Sequence, residues 1–342
     1  MTAGHETFDL GDVTLQSGDV LRDAKLAYKT YGTLNDARDN VVVLPTFYTG
    51  THQRNQCYFG PGRAIDPARH FIVGVNLFGN AVSSSPSNHA PPQDGPRFPR
   101  TTFHDNVACQ HRLLTEHLGI ERIALVTGWS IAACQSFQWA AQFPDMVDAI
   151  LPFCGSARTA PHNVVFLEGV KAALCADGDW NGGDYLAHPV RGLKAFGRVY
   201  AGWAFSQTWY REGTYRELGY ETYEDLLLDW EADHVNGWDP NNLLHKIWTW
   251  QQGDISNNDL YGGDFKAALG AIKAKAIVMP ASTDLYFPPE DNAIEVAQMP
   301  NAELRVFDTT WGHCVASGNS VPAFHAFFDE AAAELMNFTR TP

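Results

Sequence analysis

Residues 125–133 read Leu125-Val126-Thr127-Gly128-Trp129-Ser130-Ile131-Ala132-Ala133. A β-rich apolar run ends, a Gly-x-Ser-x-small sequence follows, and a helical pattern begins. A sharp strand-to-helix turn brings the backbone close to itself, so small residues are needed on both sides of its central residue. Gly128 meets that need fully. Ala132 meets it tightly, at a position where glycine is usual. The helix that follows points its N-terminus at Ser130, and its free N–H groups can stabilise a developing oxyanion. Two readings stand at this level: a nucleophile elbow, or a serine N-cap in an ordinary strand–helix loop.

On either side of this turn the chain alternates between strands and helices. Asn40 to Leu44 (NVVVL) and His70 to Asn76 (HFIVGVN) are continuous apolar runs closed by turn residues, and they predict buried strands. Arg122 to Thr127, Ala149 to Phe153, Lys275 to Met279 and Glu303 to Phe307 repeat the pattern. Thr102 to Gly119, Ile131 to Phe143 and about Val321 to Met336 carry helical spacing. Strands alternating with helices predict an α/β domain, its parallel sheet covered on both faces. Between Gly155 and Leu269 the texture changes. Seven tryptophans (Trp180, Trp203, Trp209, Trp230, Trp238, Trp248 and Trp250) fall there among charged residues, with few β-branched runs. The expected organisation is a core of residues 1–154 and 270–342 interrupted by a helical cap, 155–269.

Composition limits what such a domain does. The 342 residues hold 39 acidic and 24 basic side chains, a formal charge of −15. That charge repels phosphate backbones and anionic lipid, so neither nucleic acid nor membrane is expected as a partner. The N-terminus shows neither the basic nor the apolar region of a signal peptide, and a cytoplasmic location is expected. The six cysteines form no CxxC pair, so a zinc or redox motif is not indicated, and free thiols fit that compartment. No metal is expected. No Gly-x-Gly-x-x-Gly follows the early strands, which disfavours a nicotinamide enzyme.

A serine hydroxyl is a weak nucleophile and needs a base oriented by a carboxylate. In elbow-type enzymes the partners follow in the order Ser, Asp or Glu, His, after late strands. After Lys275–Met279 comes Pro280-Ala281-Ser282-Thr283-Asp284, and after Glu303–Phe307 comes Asp308-Thr309-Thr310-Trp311-Gly312-His313. Ser130, Asp284 and His313 are therefore the candidate catalytic residues. Asp291 and Asp308 compete as the acid. His325 competes as the base, but it falls within the last helical pattern. The loop Pro45-Thr46-Phe47-Tyr48-Thr49-Gly50 should supply a second oxyanion donor, so the backbone N–H groups of Tyr48 and Ile131 are the candidate hole.

These residues belong to a wider pattern. Leu26-Ala27-Tyr28-Lys29-Thr30-Tyr31-Gly32-Thr33-Leu34-Asn35, Gly60-Pro61-Gly62-Arg63-Ala64-Ile65-Asp66, Ser83-Ser84-Ser85-Pro86 and Trp180-Asn181-Gly182-Gly183-Asp184-Tyr185 stand in order along the chain. Together with the elbow they resemble the homoserine O-acetyltransferase-like branch of the α/β-hydrolase superfamily. The resemblance implies the α/β-hydrolase fold: a mostly parallel central sheet with helices on both faces and an inserted helical cap over a deep pocket. It also implies an acyl-serine mechanism with Ser130, Asp284 and His313, a hole formed by Tyr48 and Ile131, and acetyl-CoA as co-substrate rather than any bound cofactor.

Three departures bear on the substrate. The family elbow typically reads Gly-Gly-Ser-Met-Gly-Gly, whereas this chain places Trp129 beside the serine. The family usually carries an aspartate after its histidine, near the acceptor's amino group, where this chain has Cys314. Its cap arginine, associated with the acceptor carboxylate, has no direct counterpart. Arg198 is either that arginine shifted by one residue or a helix-surface charge. Trp129, Arg198 and Cys314 are thus the candidate pocket residues. The expectation is an ester hydrolase, or an O-acyltransferase acting on an acceptor other than homoserine. A homoserine O-acetyltransferase and an inactive binding protein on the same fold are the alternatives. The partners expected are a small ester, thioester or alcohol, with a homodimer left open.

Overall fold

A computed structural model of the chain describes residues 4–337. Its centre is an eight-stranded sheet of order β1-β2-β4-β3-β5-β6-β7-β8. β1 (Glu6–Thr14) and β2 (Val20–Tyr31) form an antiparallel hairpin at one edge, and β2 also runs antiparallel to β4 (Phe71–Val75). All other pairings are parallel: β3 (Val41–Pro45) with β4 and with β5 (Leu125–Trp129), then β6 (Ala149–Phe153), β7 (Lys275–Val278) and β8 (Ala302–Leu304) in succession.

β3, β5 and β6 are buried throughout, as continuous apolar runs require of strands covered on both faces. Alternate residues feed opposite sides. Val42, Leu44, Leu125 and Leu151 join one apolar cluster, and Val41, Val43, Val126 and Ile150 join the other. The helices supply the covering layers. α1 (Phe103–Arg112) starts on a capping box between Thr102 and Asp105 and runs on as a π-turn to His117. α2 (Ile131–Gln142) follows the elbow and is buried almost along its length. Six α-helices lie between β6 and β7: α3 (Pro161–Cys175), α4 (Val190–Ala204), α5 (Gln207–Glu212), α6 (Tyr223–Gly237), α7 (Pro240–Gln251) and α8 (Phe265–Gly270). α9 (Pro289–Val296) and α10 (Pro322–Met336) complete the chain.

The structure shifts some predicted boundaries. The strand read as Arg122–Thr127 is β5, which ends on Trp129, so the indole beside the serine is still part of the sheet. The strand expected at Glu303–Phe307 shortens to β8, and β1 carries no alternation strong enough to have been singled out. The inserted segment is helical, but Ala268 and Leu269 of α8 pack with Ala140, Ala141 and Ile272 in the cluster under the sheet. The expected cap boundary at residue 269 thus falls inside a helix of the core. Among the described residues, no helix is long and apolar enough to cross a membrane.

Candidate active site

β5 delivers Ser130 into a left-handed backbone conformation, φ 62° and ψ −130°. A non-glycine residue resists that conformation, so the surrounding packing must hold it. Ser130 N–H donates to Phe153 O at 3.1 Å, which ties the elbow to β6. The small residues are needed as the sequence implied. A Cβ on Gly128 would lie 2.5 Å from Ala132 Cβ, and one on Gly155 would lie 2.4 Å from Ala133 Cβ, so these two glycines make room for the alanines that open α2. The serine side chain makes no N-cap bond to α2, contrary to the capping alternative.

Asp284 and His313 converge on this elbow from the ends of β7 and β8. His313 Nδ1 lies 2.7 Å from Asp284 Oδ2, and both side chains are buried. The other carboxylate oxygen, Oδ1, accepts from the amides of Tyr286 at 2.8 Å and Phe287 at 3.1 Å. A carboxylate held as an acceptor on both oxygens assigns the proton of the pair to Nδ1. His313 Nε2 then keeps the lone pair a general base needs. Aromatic rings hold the imidazole. Trp129 stacks on it at 5.0 Å between centroids, and Tyr286 meets it edge-on at 4.6 Å. Gly312 precedes it at φ +58°, and a Cβ there would strike the backbone of residues 204–206 at the end of α4. The competing residues are engaged elsewhere: Asp308 Oδ1 accepts from Ser282 Oγ at 2.8 Å, and His325 Nε2 lies 2.6 Å from Gly318 O.

The loop after β3 packs beside the elbow, with the Phe47 ring 4.7 Å from that of Trp129. The amide of Tyr48 donates to no other described residue, and that of Ile131, as the first helical N–H, has no intrahelical partner. Gln135 joins the two segments. Its Nε2 donates to Thr46 O at 3.0 Å and to Ile131 O at 3.2 Å, while its Oε1 accepts from Gln110 at 2.7 Å.

Ser130 and His313 open into one cavity of about 630 Å³ under the cap. Phe47, Tyr48, Trp129, Tyr200, Trp230 and Tyr286 form much of its wall. Its charged lining side chains are Arg54, Asp229 and Asp233, with His234 on the α6 side. Burial lowers the pKa of His234, and its Nδ1 sits 2.7 Å from Trp230 O. Of the three pocket residues expected, Trp129 and Cys314 line the cavity. Burial pushes the Cys314 thiol up to about 12, with Asp284 adding to the effect, so it is a neutral group at ordinary pH. Arg198 does not line it. The guanidinium binds Glu224 and Glu231 of α6 instead. Sequence reasoning did not single out Arg54, Tyr200, Tyr286 or His234, which come from four separate segments and share no local signal.

The comparisons with known proteins agree with this architecture. The family model described as alpha/beta hydrolase fold matches residues 39–318. The chain belongs to the α/β-hydrolase fold family. It is 35% identical to the ethyl acetate hydrolase of Pseudomonas veronii over 97% of this chain and 95% of that one. It is 30% identical to the homoserine O-acetyltransferase of Chlorobaculum parvum over 87% of this chain and 86% of that one, which places it in the branch containing those transferases. A crystal structure of an acetylester hydrolase from Corynebacterium glutamicum superposes with a TM-score of 0.94 at 37% identity, covering 98% of this chain and 96% of that chain. Within the fold family, the chain is a hydrolase-type enzyme.

Proposed function

We propose that this enzyme hydrolyses small neutral carboxylic esters, acetyl esters among them, through an acyl-serine intermediate. The observation that carries the reading is the strained serine and the Asp284-paired His313 opening into one aromatic cavity. His313 Nε2 takes the Ser130 proton as Oγ attacks the ester carbonyl, and Asp284 stabilises the resulting imidazolium. The amides of Tyr48 and Ile131 donate to the tetrahedral oxyanion. Collapse breaks the ester C–O bond, and the imidazolium gives its proton to the departing alcohol. Water then attacks the acyl-serine by the same route, releasing the acid and restoring Ser130.

The charge pattern favours esters over acetyl-CoA with homoserine. Coenzyme A carries phosphates, yet the cavity offers one arginine against two aspartates, in a chain of net charge −15. Homoserine is a zwitterion, and the two positions that the resemblance assigns to its charges hold here a neutral thiol, Cys314, and an arginine, Arg198, bound to Glu224 and Glu231 of α6. The names of the esterase relatives support the same reading. The test is a panel of p-nitrophenyl acetate, ethyl acetate and longer esters, run beside acetyl-CoA with homoserine. Mass spectrometry after a fluorophosphonate probe completes it. Ester turnover with the label on Ser130 is expected. No label and no turnover would make the chain a binding protein on this fold.

A further inference from the structure

Lys246 sits on α7 of the inserted segment and is completely buried. Its Nζ donates to Tyr48 O at 2.5 Å and lies 4.3 Å from the Trp238 ring and 5.1 Å from the Tyr48 ring. One turn earlier on the same helix, Leu243 O accepts from Tyr48 Oη at 3.1 Å. α7 thus grips Tyr48 by its carbonyl and its hydroxyl. With the main-chain carbonyl and the side chain both held, the Cα frame that carries the residue's own N–H is held as well. Among the described residues, no carboxylate lies within ion-pair distance of Nζ. The acid that acts on it, Asp239, is occupied by Tyr185 Oη and the Asn242 amide.

A buried ammonium without a counter-ion is costly, and a methionine of similar volume would fill the same space without that cost. The one negative charge that arises beside Tyr48 is the tetrahedral oxyanion, which exists only during reaction. Interactions made only then are the ones that raise kcat.

Resting on the acyl-serine reading above, we propose that Lys246 is a positioning residue of the oxyanion hole. It clamps Tyr48 from the cap side, and its charge is matched by the oxyanion as that forms. Burial supports a titratable role by pushing the lysine down to about 7. The groups facing it are Asp239, the hydroxyl of Tyr48, and His245 and His234, whose pKa values burial lowers. A neutral amine still donates to Tyr48 O, so deprotonation removes the charge and leaves the clamp.

The experiment compares the wild type with Lys246→Met and Lys246→Arg on p-nitrophenyl acetate from pH 6 to 9, with fold checked by thermal unfolding. Lys246→Met should lose kcat by on the order of ten- to a hundredfold with KM within about twofold, and should bind a trifluoromethyl ketone more weakly by a similar factor. Lys246→Arg should recover most of kcat. The wild type should show an alkaline decline in kcat that Lys246→Arg, which stays charged, lacks. An active wild type with Lys246→Met within twofold in kcat overturns the proposal alone. If Lys246→Met does not fold, an alkaline limb identical in the wild type and Lys246→Arg overturns it. A wild type that neither turns over esters nor labels at Ser130 overturns the acyl-serine reading and this proposal with it.

Discussion

Ser130 holds a conformation that costs a non-glycine residue on the order of 1–3 kcal/mol, and small neighbours at Gly128, Ala132 and Ala133 make room for it. Such strain is kept where the side chain must project from the turn, away from its own helix. Ser130→Ala should leave thermal unfolding nearly unchanged and lower kcat by on the order of 10⁴–10⁶. A variant with a tenth of wild-type activity would exclude Ser130 as the nucleophile. Asp284 acts on His313 through a single 2.7 Å bond, with its second oxygen tied to two backbone amides. Asp284→Asn should place the proton on the wrong imidazole nitrogen and lower kcat by about 10⁴. Asp308→Asn, on an exposed residue bonded to Ser282, should stay within a few-fold of the wild type. The reverse order in steady-state kinetics would reassign the acid.

At the scale of elements, the site is assembled by contacts between segments far apart in the chain. α9 contributes one through Glu295, a buried carboxylate that accepts from the amides of Ala157 at 2.8 Å and Arg158 at 3.2 Å. Asn292 Nδ2, also on α9, donates to Gly155 O and to Glu295, which secures the turn that leaves β6 beside the elbow. Burial raises the Glu295 carboxyl from 4.5 to about 8. The folded chain therefore holds this proton where the unfolded chain has lost it. Its contribution to stability is present below about pH 4.5 and is lost as pH rises towards 8. Glu295→Gln cannot ionise. Its stability relative to the wild type should rise across that window by up to about 1.4 kcal/mol per pH unit. Urea unfolding at pH 5, 6.5 and 8 measures this, and a constant difference would mean that Glu295 is ionised in the fold.

At the scale of the whole molecule, the cap and sheet enclose a cavity whose wall is mostly aromatic and whose charged lining is two aspartates and an arginine. A closed pocket that leaves a full charge unpaired costs binding at least ~1–3 kcal/mol for each group. With acetyl-CoA as donor, kcat/KM for homoserine should fall at least tenfold to a few hundredfold below that for neutral esters. Homoserine turnover well above the whole ester panel would place the chain among the transferases of its branch.

How much of this was legible beforehand follows from the range of each interaction. The elbow, the order of serine, acid and base, and the buried parallel strands were readable because they depend on neighbours within a few residues: small groups around a turn, and apolar runs closed by turn residues. The loop carrying Tyr48 was placed by its position after a strand. The sequence alone therefore determined the fold class and the proposed reacting groups. It named Asp284 ahead of Asp291 and Asp308 by its place after a strand, but the contact with His313 Nδ1 spans 29 residues and belongs to the folded chain. It left Arg198 ambiguous, since its partners Glu224 and Glu231 lie on another helix. It was silent on Lys246, whose meaning depends on a carbonyl 198 residues away. Tertiary structure decided these because burial and electrostatic pairing act through space. The same side chain on a helix is a surface charge or a buried one according to what packs against it.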